Sequence, residues 1–151
     1  MIDGFLQVES ITGLIGPARA RKSIITLNAI HALLTCEPLF GRFKVVRQPE
    51  RVVYLCPESG KKALARRIKN MGLLPFVGDK LFFTSMNSEP FELDDTRLTG
   101  AYEGAVVMID TMVRFFNGDE NAAESMKPFA ALCQRLIRGG RTGGCAAAPH
   151  G

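Results

Sequence analysis

No pair among the four cysteines (Cys36, Cys56, Cys133 and Cys145) has C-x-x-C spacing, and none has a histidine at metal-ligand distance. That excludes the common zinc-binding and dithiol-redox arrangements. The cysteines read instead as reduced, small apolar residues of a cytoplasmic protein, with Cys56 and Cys145 in strands and Cys133 in a helix. No apolar run approaches the roughly 20 residues of a membrane span, so no membrane partner is expected. The opening Met1-Ile2-Asp3-Gly4-Phe5 lacks the basic flank and apolar stretch of a secretory leader. Internal repeats and low-complexity linkers are also missing, so neither a repeat array nor a tethered pair of domains is expected.

What remains is a 151-residue chain of which 46% is hydrophobic, enough for one domain over 1–151 with a true core. The net charge of +4 and pI near 9.0 suit a nucleotide or nucleic-acid partner, and suit an ordinary solvated surface equally.

The chain is organised around Gly13-Leu14-Ile15-Gly16-Pro17-Ala18-Arg19-Ala20-Arg21-Lys22-Ser23. An apolar run before it, Val8 to Thr12, reads as a buried strand, and Ile24 to Leu34 after it reads as a helix. Strand, loop, Lys-Ser and helix follow the order of a phosphate-binding loop (Walker A), except that Arg21 stands where the second glycine belongs. The residue directly before the lysine is expected to be already helical in φ, so a side chain there is not forbidden. A helix start offers unpaired N–H groups and the positive end of a dipole, both of which phosphate satisfies. Lys22 adds a point charge for the β- and γ-phosphates, and the Ser23 hydroxyl a ligand for Mg2+. The competing reading is a Gly-Pro turn and a basic helix start with no nucleotide.

Further along, the connector 36–50 is broken by Pro38, Gly41 and Pro49 and is basic through Arg42, Lys44 and Arg47. Arg51 to Cys56 is a short run suited to a strand buried on both faces. Lys61 to Met71 is a helix with one apolar face, stopped at Gly72. Lys80 to Ser85 is a third strand. A short helix over Thr96 to Tyr102 follows Asp94-Asp95, and Ala105 to Asp110 is a fourth strand, apolar until its last residue. Ala122 to Arg138 is helical in pattern with Phe129, Leu132, Cys133, Leu136 and Ile137 inward, and Pro128 is expected to kink or divide it. A short apolar run, Cys145 to Ala148, comes last.

Strands alternating with helices predict an α/β fold, a parallel sheet between helical layers, in which ligands bind beyond the carboxyl ends of the strands. The loop from Gly16, then Glu58, then Asp110 all fall at such ends. Asp110 has the pattern of a Walker B aspartate that holds Mg2+ opposite Ser23. Glu58 is a candidate general base for an attacking water, and His150 a candidate sensor of the γ-phosphate. Each of these alone has a plain structural alternative: a loop-capping Asp, a turn carboxylate, a terminal histidine. Their convergence favours the nucleotide reading. His31 reads as a packed or surface residue, and Arg114 as a surface arginine or a contact to a neighbour's nucleotide or to a nucleic acid.

With these residues in place the chain resembles a RecA-type P-loop NTPase core, specifically the RepA-like replicative-helicase group of AAA-type ATPases. The stretches that carry the resemblance are GPARARKS, LFGRFKV, VVYLCPES, VVMIDTMVRFFNGDEN and GCAAAPHG, spread from about Ile11 to His150. The resemblance implies a three-layer RecA-like core. It implies ATP contact by the loop residues Gly16, Pro17, Ala18, Arg19, Ala20, Arg21, Lys22 and Ser23, Mg2+ at Ser23 and Asp110, and water activation by Glu58. It also implies a homo-oligomer, usually a hexamer, acting on single-stranded DNA in replication. Three departures stand out: Arg21, the Ala-rich last strand, and Pro149 beside His150 where a second histidine is usual. The implied strand order is third, second, fourth, fifth, first, leaving the first strand an uncovered edge in a core incomplete on its C-terminal side. The expected activity is therefore ATP binding with weak or absent hydrolysis. The alternative is a catalytically decayed domain serving as an oligomerisation or partner-binding module.

Overall fold

The computed structural model describes residues 1–17, 19–85, 88–115, 123–138 and 142–148. Its strands are β1 (Ile11–Gly13), β2 (Arg51–Leu55), β3 (Leu81–Thr84), β4 (Ala105–Asp110) and β5 (Thr142–Ala148). Its helices are α1 (Lys22–Thr35), α2 (Lys61–Asn70), α3 (Thr96–Tyr102) and α4 (Ala123–Arg138), with single 3-10 turns at Leu74–Phe76 and Met112–Phe115. The five strands form one parallel sheet in the order β1-β5-β4-β2-β3, as expected from the resemblance.

Connection handedness sets the layers. The steps β1→β2 and β2→β3 advance one way across the sheet, while β3→β4 and β4→β5 return. Right-handed crossovers then place α1 and α2 on one face and α3 and α4 on the other. The side chains agree. Val52, Tyr54, Val106 and Met108 pack with Ile30 and Leu33 of α1 and Leu64 and Ile68 of α2. The alternating residues Val53, Leu55, Val107 and Ile109 pack with Tyr102 of α3 and Phe129 and Cys133 of α4. β2 and β4 are thus buried on both faces, which is why they read as continuous apolar runs. This is the α/β, RecA-like arrangement of a sheet between two helical layers.

Three elements differ from expectation. The first strand is not the buried run Val8 to Thr12. Glu9 has φ 53, which breaks extension, so only Ile11–Gly13 pairs, as an edge strand with Ile11 38% exposed. α4 is a single helix that runs through Pro128 rather than two pieces. The proline removes one N–H, that to the Glu124 carbonyl. Its cost of about 3 kcal/mol is offset by burying Phe129 and Cys133 against the sheet, at about 1.5–3 kcal/mol for a large apolar side chain. β5 begins at Thr142, earlier than the apolar run suggests, because pairing to β4, at Ala105↔Thr142 and Val106↔Gly144, extends it over the glycines.

The first residues also have a role that the sequence did not disclose. Met1, Ile2 and Leu6 are buried in the α1 cluster, and Ile2 bridges to both Leu6 and Val45 of the connector. Leu39 of that connector is buried there too. No helix among the described residues is long and apolar enough to cross a membrane.

Ile30 is fully buried in the middle of α1. Ile30→Ala is expected to cost about 2–5 kcal/mol, read as a lower urea midpoint; a loss under about 1 kcal/mol would contradict the packing described.

Candidate functional site

The loop 14–21 leaves the carboxyl end of β1 and turns into α1. The Ala20 N–H donates to the Pro17 carbonyl at 3.2 Å, closing the turn. φ is positive at Arg19 (65) and Arg21 (59) but not at Ala20 between them. Such alternation curls successive amide N–H groups into a concave, anion-accepting nest. This corrects the expectation for Arg21: it is left-handed, not helical, and it caps α1 without a side-chain hydrogen bond. A left-handed non-glycine residue costs about 1–2 kcal/mol. The glycine expected at this position would answer a backbone need, and the arginine replaces it at a cost in strain.

α1 starts at Lys22. Its first turn contains no acidic residue, so nothing in the helix itself balances the positive end of its dipole. Lys22 Nζ folds back onto the loop, donating to the carbonyl oxygens of Gly16 at 2.5 Å and Pro17 at 3.0 Å. The ammonium is thereby held at the mouth of the nest. Gly16 itself has ordinary backbone geometry, and a Cβ there would meet only Ala20 Cβ at 3.6 Å.

Asp110 ends β4 and is 9% exposed. A buried carboxylate needs partners, and the Tyr54 hydroxyl donates to its Oδ2 at 2.8 Å. Tyr54 comes from β2, directly beside β4 in the sheet. Burial, reinforced by the Asp110 charge, pushes the Tyr54 hydroxyl well above its ordinary value of 10.0. Burial likewise pushes the Cys56 thiol above its ordinary 9.0, with hydrogen bonds to Ser59 and Tyr54 pulling partly back.

These elements enclose one cleft of about 640 Å3. Arg19, Arg21, Lys22 and Ser23 line one side, Arg67 of α2 another, and Asp110 closes it. Among the described residues four cations and one carboxylate line the cleft, a balance that suits an anion. The cleft lies beyond the carboxyl ends of β1 and β4, whose following helices pack on opposite faces of the sheet, the usual position for a ligand in such folds.

Of the residues singled out from sequence, Arg19, Ala20, Arg21, Lys22, Ser23 and Asp110 share this cleft, and Gly16 and Pro17 join it through Lys22. Glu58 does not line it. Glu58 is exposed in the turn after β2, at the same end of the sheet as Asp110. Ala18 and His150 lie outside the described residues. His31 is half-buried, 3.9 Å from Glu37.

Two functional candidates were not legible beforehand. Arg67 reads as one more charge on the outer face of α2, yet it lines the cleft and its Nη1 donates to Ser59 Oγ at 3.2 Å. No periodicity separates it from Arg66. Tyr54 reads as strand filler; only the register of β2 on β4 brings it to Asp110.

Hard oxygen donors, a serine hydroxyl and one carboxylate, fit Mg2+ held jointly with phosphate and water. Among the described residues there is no cluster of three or more His, Cys, Asp or Glu that would form an all-protein metal cage. A family model described as an AAA domain matches residues 1–149. No curated protein matches the chain.

Arg21→Gly is expected to leave thermal stability equal or raised by up to about 1 kcal/mol, because relief of left-handed strain opposes the entropy of glycine; a clear loss would show that the arginine side chain stabilises the loop. Stability should also fall as pH rises above about 9. The unfolded chain releases the Cys56 and Tyr54 protons at their ordinary values, 9.0 and 10.0, while the folded chain retains them. Thermal melts across the alkaline range check this, and a flat profile would contradict it.

Proposed function

Because the chain belongs to the AAA domain family, we propose that it binds ATP with Mg2+ in the cleft described, as a RepA-like replicative-helicase ATPase. The observation that carries this reading is the meeting of Lys22 and Ser23, at the start of α1, with Asp110, at the end of β4, across one cationic cleft. In this reading the triphosphate lies along the nest and exchanges the two carbonyls on Lys22 Nζ for phosphate oxygens. Ser23 and Asp110 together hold Mg2+, which screens phosphate charge when bound. Arg67 adds a further cation from α2. Glu58, which does not line the cleft but lies at the same end of the sheet as Asp110, is the candidate general base for the attacking water. The ordered motif set supports the helicase-type assignment, with single-stranded DNA and further copies of the chain as partners.

Lys22→Ala is expected to weaken Mg-ATP binding about 100-fold, the loss of a charge-assisted contact of roughly 3 kcal/mol. Equal affinity by calorimetry would count against the reading. Gly16→Ala should leave melting unchanged, since the loop has room for the methyl group, yet weaken ATP binding where phosphate must approach the backbone. Glu58→Gln should bind ATP as the parent does and lose turnover measured with single-stranded DNA. A parent chain that binds ATP but never turns it over would favour the non-catalytic module.

A further inference from the structure

The hydroxyl of Tyr54 is not needed for packing. Its ring is fully buried in the α1–α2 cluster, where phenylalanine would fill the same space. A buried hydroxyl left without a partner is costly, and this one donates to Asp110 Oδ2 at 2.8 Å. The donor is rigid. Tyr54 lies in the sheet interior with β3 on one side and β4 on the other, its backbone in register with Met108 two residues before Asp110.

The carboxylate receives the Tyr54 hydroxyl on Oδ2. It has two oxygens and four acceptor positions. With one position on Oδ2 engaged, Oδ1 and the remaining lone pair of Oδ2 are left for a ligand in the cleft. An aspartate free to rotate would meet an incoming cation in several orientations, and a ligand would have to order it at the moment of binding. Groups that orient a metal ligand through a hydrogen bond commonly hold about 10- to 100-fold in metal affinity.

We propose that Tyr54 is a positioning residue for Asp110. Its hydroxyl holds the carboxylate in the orientation in which it receives Mg2+ brought by the nucleotide on Ser23. The inference rests on the Mg-nucleotide reading above and names a residue that reading does not use. The link continues behind Tyr54. Cys56 lies within hydrogen-bonding reach of both the Tyr54 and Ser59 hydroxyls, and Ser59 accepts from Arg67. Asp110 and Arg67, two walls of the same cleft, are thus linked by way of Tyr54, Cys56 and Ser59, the last contact lying at the surface.

The test is calorimetry of ATP binding with excess Mg2+ and with EDTA, on the parent chain and on Tyr54→Phe. The parent is expected to bind more tightly with Mg2+. Tyr54→Phe should match the parent in EDTA and lose about 10-fold of the Mg2+ enhancement. A Tyr54→Phe chain that melts lower but keeps the full enhancement would overturn the inference, since the hydroxyl would then serve stability only. A parent chain that binds no ATP in either condition would overturn the underlying reading and this inference with it. If Tyr54→Phe does not fold, the parent labelled with 3-fluorotyrosine decides. Its two tyrosines are assigned with Tyr102→Phe. The fluorine signal of Tyr54 should move on adding Mg-ATP and not on adding ATP with EDTA; an unmoved signal overturns the proposal.

Discussion

Strands β2 and β4 lie between two helical layers, so their side chains alternate into two separate apolar clusters and neither face meets water. A sheet buried in this way has only its ends for polar chemistry. The carboxyl end is where β1 releases its loop, where β2 releases the turn that carries Glu58, and where β4 finishes on Asp110. The apolar interior therefore does more than stabilise the chain. It keeps charged groups off the faces of the central strands, and pairing in the sheet fixes the spacing of those at its carboxyl end.

At that rim two opposite electrostatic problems sit side by side. The start of α1 has a helix dipole with no acid in its first turn, surrounded by Arg19, Arg21 and Lys22. Asp110 is a nearly buried carboxylate supported by a tyrosine hydroxyl. Neither arrangement is favourable by itself: the first concentrates like charge, and the second desolvates a charge. A polyanion accompanied by a divalent cation relieves both at once. The left-handed strain at Arg21 belongs to the same account, because strain of this size persists where the loop shape is needed for another purpose.

How much of this was legible in the sequence depended on how local the signal was. β4 and α3 could be read to the residue, because an unbroken apolar run and a turn before a short helix need no distant partner. α1 could be read because no glycine or proline interrupts it and Leu27, Ala29, Ala32, Leu33 and Leu34 favour helix, outweighing β-branched Ile24, Ile25, Thr26 and Ile30. The first strand was misplaced because Val8 extends the apolar run, while the turn at Glu9 is a backbone conformation that composition does not encode. Pro128 was overrated because local propensity lost to burial of the helix behind it. Arg21 was misread because the expected φ came from helix position, whereas the loop determines it. The Asp110 end of the site was visible as a pattern, but its partner Tyr54 was not, since a contact 56 residues apart in sequence exists only through strand register. The place of Met1, Ile2 and Leu6 in the core is of the same kind.

The central claim is that the start of α1 and the end of β4 act on one triphosphate. A crystal structure with a non-hydrolysable Mg-ATP analogue tests it most directly. The account predicts phosphates lying along residues 19–23, Lys22 Nζ moved from the loop carbonyls onto phosphate, and Mg2+ between Ser23 and Asp110. A nucleotide bound elsewhere, or a metal ion with no link to Asp110, would contradict it.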